Sequence, residues 1–203
     1  MRSVVRRVQE KTKRMLKHIA HWISHGLNPA GVALVLWICW WIYHPDEGLV
    51  VMVGVLFYIV LPALGLLHGL RKGRMDQLYP EVRQQRSEML LQGAMSYGLG
   101  GGVMWMINPD LLLLVVGISF TLATLLVFCI NLFWKISIHC VGVGGAAALL
   151  FSILGAGVAW PGVLAVLLVG WARLYLGVHT VAQVLAGFVL GIGVSLAVYW
   201  ALM

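Results

Sequence analysis

A chain of 203 residues that is 61% hydrophobic and only 10% charged carries more apolar side chain than a soluble domain of that size can bury. With a mean hydropathy of +0.93, its composition excludes a water-soluble globular fold and makes the bilayer its solvent. The net charge of +7 suggests a nucleic-acid binder, but the basic residues gather in the gaps between apolar runs instead of spreading over one polar face, which argues against nucleic acid as a partner.

At about 20 residues per spanning helix, the apolar length holds six or seven spans. The expected fold is therefore all-α: a polytopic transmembrane helix bundle preceded by an amphipathic interfacial helix. Residues 1–26 form the basic amphipathic segment and residues 27–203 one membrane-embedded domain. In the first of these, Arg2, Arg6, Arg7, Lys11, Lys13, Arg14 and Lys17 alternate with Val4, Val5, Val8, Met15, Leu16, Ile19, Trp22 and Ile23 at near-helical period. That pattern suits a helix lying among anionic lipid headgroups, or a solvated basic tail. The basic stretch is too long for a signal peptide, and no small-residue cleavage site follows it.

The first span is expected to begin at the cap Asn28-Pro29 and to run to Tyr43. After a turn at His44-Pro45-Asp46-Glu47, the second covers Gly48 to Leu70 with a kink at Pro62. A polar segment, Arg71 to Glu88, leads to a third span from Met89 to Ile107. Its Gly98, Gly100, Gly101 and Gly102 permit either a close helix contact or a break. Asn108-Pro109-Asp110 turns the chain into a fourth span ending near Trp134, and a fifth begins near His139. Trp160-Pro161-Gly162 is expected to turn into a short sixth span ending near Arg173. The seventh runs from Thr180 to Met203, with Gly187 and Gly191 as packing positions on one face. Cys39, Cys129 and Cys140 share no metal-type spacing and read as buried small hydrophobes. The tryptophans at 37, 40, 41, 134 and 160 read as interfacial or packing residues.

If every run spans, the N-terminal segment, the 71–88 loop and the joints at 134–138 and 173–179 share one side. They hold seven, five, one and one of the fourteen Lys and Arg. The opposite turns carry only Asp46, Glu47 and Asp110 among charged residues. The positive-inside rule makes the shared side, with the N-terminus, cytoplasmic in a multi-pass cell-membrane protein.

Three polar clusters fall on that side. Arg83 and Arg86 are three apart and share a helix face, with guanidinium forks suited to phosphate. Lys135, Ser137 and His139 stand at a helix start, where backbone N–H groups favour anions. Arg173, His179 and Gln183 set a cation, a ring and an i+4 partner for that ring into an otherwise apolar stretch. His44 and His68 read as ordinary hydrogen-bonded packing residues. Zinc from His139, Cys140 and His179 fits no usual ligand spacing, so no metal or other cofactor is expected.

In these residues the chain resembles the type 2 phosphatidic acid phosphatase family, membrane relatives of the vanadium haloperoxidases. The family's motifs are KxxxxxxRP, PSGH and SRxxxxxHxxxD in that order. The third reads here as Ala172-Arg173, five residues, His179, three residues and Gln183; the second as Ile136-Ser137-Ile138-His139. The first is degenerate, with Asp76 and the Arg83–Arg86 group in its place. The resemblance covers about residues 71–195.

It implies a metal-independent lipid phosphatase working through a phosphohistidine. His179 would be the nucleophile and His139 the general acid, while Arg173, Arg83 and Arg86, helped by Lys135 and Ser137, would hold the phosphoryl oxygens. Gln183 stands where the family has aspartate. Its carbonyl can accept the Nδ1–H bond but supplies no charge, which implies slower chemistry. The implied substrates are polyprenyl phosphates or diphosphates, phosphatidic acid or phosphatidylglycerol phosphate. Anionic membrane lipids would be the partners of the N-terminal helix. A lipid phosphotransferase with the same site, or a non-enzymatic membrane protein on this frame, are the alternatives.

Overall fold

Short-range chemistry sets several of the helix starts. The computed structural model describes residues 2–73 and 83–203, the side chains of 2–5, 83, 84, 158 and 159 excepted. Its helices are α1 (Arg2–Gly26), α2 (Pro29–Tyr43), α3 (Gly48–Val55), α4 (Leu61–Arg71), α5 (Arg83–Ile107), α6 (Leu111–Asn131), α7 (Ile138–Leu154), α8 (Ala159–Tyr175) and α9 (Val181–Leu202). No strand occurs among the described residues, so the fold is all-helical as expected. Asn28 Oδ1 accepts the Gly31 N–H at 2.7 Å, and Pro29, which has no N–H to leave unsatisfied, takes the first helical position of α2. Asp110 Oδ1 accepts from Leu112 N at 2.8 Å to start α6. Thr180 and Gln183 form a capping box at α9.

Helices α3 and α4 form one apolar rod, joined by a π turn at Leu56–Val60 in which the Leu61 N–H reaches back to the Leu56 carbonyl. Pro62 follows directly. Its missing N–H and ring bulk account for the widened turn where the sequence predicts a kink. The four glycines of α5 do not break it. Gly101 instead faces Gly117 of α6, where a Cβ on either would lie 2.9 Å from the other's Cα. Two expected boundaries move. Helix α6 ends at Asn131 rather than Trp134, leaving 132–137 as a connection. The reversal expected at Trp160-Pro161-Gly162 occurs earlier, at Gly155 (φ +77°) and the 3₁₀ turn Ala156–Val158. Pro161 is tolerated in the first turn of α8, where no intrahelical N–H bond is lost, whereas the positive φ falls to glycine.

Among the described residues, three helices are long and apolar enough to cross a membrane: Gly48–Arg71, Leu111–Asn131 and Val181–Leu202. Segments Arg6–Gly26 and Pro29–Tyr43, bent by 57°, make a fourth if counted as one broken span. Helices α7 and α8 are apolar but shorter than those three spans.

The tightest neighbours are α5 with α6 and α7 with α9. Between α2, the π turn, α5 and α6 lies a core of Trp37, Tyr58, Met104 and Leu113. Trp37 and Trp40 are thus packing residues, while Trp41, Trp134 and Trp160 are exposed. All three cysteines are free thiols. Cys140 is buried, but Cys39 is only half-buried and Cys129 is exposed on the apolar surface of α6, which corrects the expected burial of both.

Candidate active site

Two helix N-termini meet here. The Ser137 N–H, at the cap of α7, donates to the Gln183 carbonyl in the first turn of α9 at 3.3 Å. Gly187 makes that approach possible, since a Cβ there would lie 2.8 Å from the Ser137 carbonyl oxygen. The positive ends of both helix dipoles are therefore close together, and each carries a histidine: His139 in the first turn of α7, His179 just before the cap of α9.

The His179 ring is oriented by Gln183. Oε1 of Gln183 accepts the Thr180 N–H at 3.1 Å, which selects the oxygen, not the amide nitrogen, for that position. The same oxygen lies 3.1 Å from His179 Nδ1. An acceptor there requires Nδ1 to carry the proton, leaving Nε2 with its lone pair. His179 belongs to the α8–α9 connection. Burial first, then the charges of Arg173, Lys135 and Arg86, hold its imidazole down to about 4 against the weaker opposite pull of the Gln183 bond. The ring is neutral at pH 7.

Arg86, 4% exposed, donates through Nη2 to the Ile136 carbonyl at 2.8 Å, while its Nη1 is buried with no hydrogen-bond partner among the described residues. Arg173, in the last turn of α8, donates through Nη1 to Ser24 Oγ at 2.8 Å. A cation at a helix C-terminus is favoured by the dipole.

These groups line one cavity of about 480 Å³. Arg86, Lys135, His139, Arg173 and His179 all contribute, and no Asp or Glu is among the described lining residues. The wall continues through apolar side chains, including Pro62, Met89, Phe120, Ala123 and Val127, as far as Tyr58 and Ser195. Ser195 lies well over three turns into α9, so by helical rise the cavity reaches about 20 Å along the bundle. One part is cationic and the remainder apolar, the pattern of a site for an anionic amphiphile.

Five residues singled out in the sequence are thus brought to a single wall, with Gln183 behind His179. Ser137 is not brought to it. It is fully buried behind the lining, its hydroxyl without an oxygen or nitrogen partner among the described residues. The side chain of Arg83 and all of Asp76 lie outside the described residues. His68 lines a separate groove with Gln92, and His44 stacks on Trp40 near Glu47. Sequence reasoning missed His21, Ser24 and His25 of α1, which also line the cavity. Their spacing places them on one helical face, the only local signal they carry. Among the described residues, no three His, Cys, Asp or Glu are grouped to hold a metal ion.

Compared with known proteins, the chain matches no family model, no curated protein and no solved structure.

Proposed function

We propose that the chain is an integral membrane lipid phosphatase, related to the type 2 phosphatidic acid phosphatases, that cleaves a phosphate monoester or diphosphate through a phosphohistidine. The observation that carries this is the cavity lining: two guanidinia, an ammonium and four imidazoles without a described carboxylate, continuous with an apolar limb. Such a wall is electrostatically incomplete until an anion occupies it. The spare Nη1 of Arg86 is a donor awaiting an acceptor.

In the first step, Nε2 of His179 attacks phosphorus. The P–O bond to the lipid breaks, and the departing oxygen takes a proton from His139 as general acid. In the second, water attacks phosphorus, giving its proton to His139, and the P–N bond breaks to restore neutral His179. Arg86 and Arg173 hold the equatorial oxygens through both steps, where phosphoryl charge concentrates. Gln183 keeps the tautomer correct but adds no charge. The lipid chain enters sideways from the leaflet and occupies the apolar limb.

In this reading the chain crosses the bilayer six or seven times. The N-terminus and site face the cytoplasm, and α1 turns Val8, Met15, Ile19 and Trp22, all exposed, toward anionic lipid. Polyprenyl phosphates and diphosphates, phosphatidic acid and phosphatidylglycerol phosphate are the substrate set.

The test is phosphate release from short-chain phosphatidic acid and farnesyl diphosphate by purified full-length protein in micelles. His179→Ala should lose at least about 10³-fold, and His68→Ala should match wild type. Equal rates for wild type and His179→Ala would remove the proposal. Adding a lipid alcohol separates hydrolysis from transfer. Labelling of Asp76→Cys by an impermeant reagent outside intact cells would reverse the assigned sidedness.

A further inference from the structure

Helix α1 is built into the cavity wall, not merely laid beside the bundle. Ser24 is 4% exposed and accepts the Arg173 guanidinium bond at 2.8 Å, joining positions 149 residues apart. The segment is held along α8 over some length, since the Tyr175 hydroxyl also donates to the Lys13 carbonyl at 3.5 Å. His21 and His25 flank Ser24 on the same face, stacked with ring centroids 6.1 Å apart, and both line the cavity.

A long arginine at the end of α8 has many rotamers open to it. A hydroxyl acceptor on a packed helix removes that freedom without neutralising the charge, so the guanidinium remains cationic toward the cavity. Acidic residues would orient it equally well but would compete with an anionic ligand.

Resting on the phosphate-site reading above, we infer that Ser24 of α1 is a positioning residue for the anion pocket, holding Arg173 in the geometry that grips the phosphoryl group. Helix α1 is therefore a required wall of the site as well as a membrane contact.

The experiment measures equilibrium binding of inorganic phosphate to the purified full chain by phosphorus NMR titration, with kcat and KM for the lipid substrate alongside. Ser24→Ala should weaken phosphate binding and raise KM by roughly tenfold, the range for a lost hydrogen bond to a charged group. Ser24→Thr, which keeps the acceptor, should stay near wild type. Thr12→Ala removes a hydroxyl from an exposed part of the same helix, where it bonds the Val8 carbonyl at 3.0 Å, and should change nothing. In an Arg173→Gln background, Ser24→Ala should have no further effect on phosphate affinity, because its action runs through that guanidinium. If the alanine protein does not fold, Ser24→Cys, similar in volume and a weak acceptor, takes its place in the same cycle. A folded Ser24→Ala protein that binds phosphate like wild type, or one whose loss is equally large without Arg173, overturns this inference while leaving the phosphatase reading intact. Wild-type protein that neither binds phosphate nor releases it removes both.

Discussion

Substituting Gly191 by alanine tests whether the crossing of α7 and α9 sets the separation of the two histidines. In an unobstructed helix the change should stabilise by about 1 kcal/mol through propensity. Here the added Cβ would stand 2.9 Å from both the Val141 carbonyl carbon and the Gly145 nitrogen, and closer still to the Val141 oxygen. These are backbone atoms of α7 and cannot rotate away. Restoring contact distances of about 3.5 Å requires α9 to back off by roughly 1–1.3 Å. Overpacking of this kind costs about 1–3 kcal/mol, so the net change is a loss of up to about 2 kcal/mol. The displacement carries His179 away from His139, and a misplacement near 1 Å can cost about 10²-fold in rate. Gly193→Ala is the control, on the same helix with nothing within 4 Å of its Cβ. Thermal unfolding by tryptophan fluorescence and phosphate release, measured on both proteins, should show Gly191→Ala less stable and about ten- to a hundredfold slower, and Gly193→Ala equal or slightly more stable. A Gly191→Ala protein with wild-type rate, or equal losses in both, would refute the reasoning.

Gln183→Glu keeps the capping box and places a carboxylate against His179 Nδ1, so the His179 pKa should rise from about 4 by about 1–3 units, read by histidine NMR. No rise would mean that the side chain caps α9 without orienting the ring. Because the folded-state pKa of His179 lies below an unfolded value near 6.5, the unfolded chain binds the proton first. Its contribution to stability should be complete above about pH 6.5 and should decline as pH falls toward 4. His179→Gln should flatten that part of a pH–melting profile, and an unchanged slope would contradict the neutral buried ring. Asn28→Ala removes the acceptor of the Gly31 N–H and should cost about 1 kcal/mol, with Asn28→Ser close to wild type in the same melting assay. A melting temperature unchanged in Asn28→Ala would show that α2 is started by packing rather than by its cap.

The features legible in the chain before folding are local or compositional. The all-helical fold follows from hydropathy. The starts of α2, α6 and α9 follow from Asn28, Asp110 and Thr180, because a cap bond spans only two or three residues. The facing of Gln183 and His179 was legible for the same reason: one helical turn relates them. Counting spans put Arg86, Lys135, His139 and Arg173 on one side of the membrane, but their gathering at one site was expected only through a motif resemblance, since no residue's neighbours encode a contact fifty positions away. Tertiary structure alone decided that Arg86 spends one nitrogen on the Ile136 carbonyl and that Ser137 sits behind the wall. It also decided that α1 presents Ser24 to Arg173. Polar residues on one face of α1 satisfy water, headgroups or a protein groove equally well. Only the packing of α1 along α8 selects among them, by burying the Ser24 hydroxyl where a guanidinium must meet it.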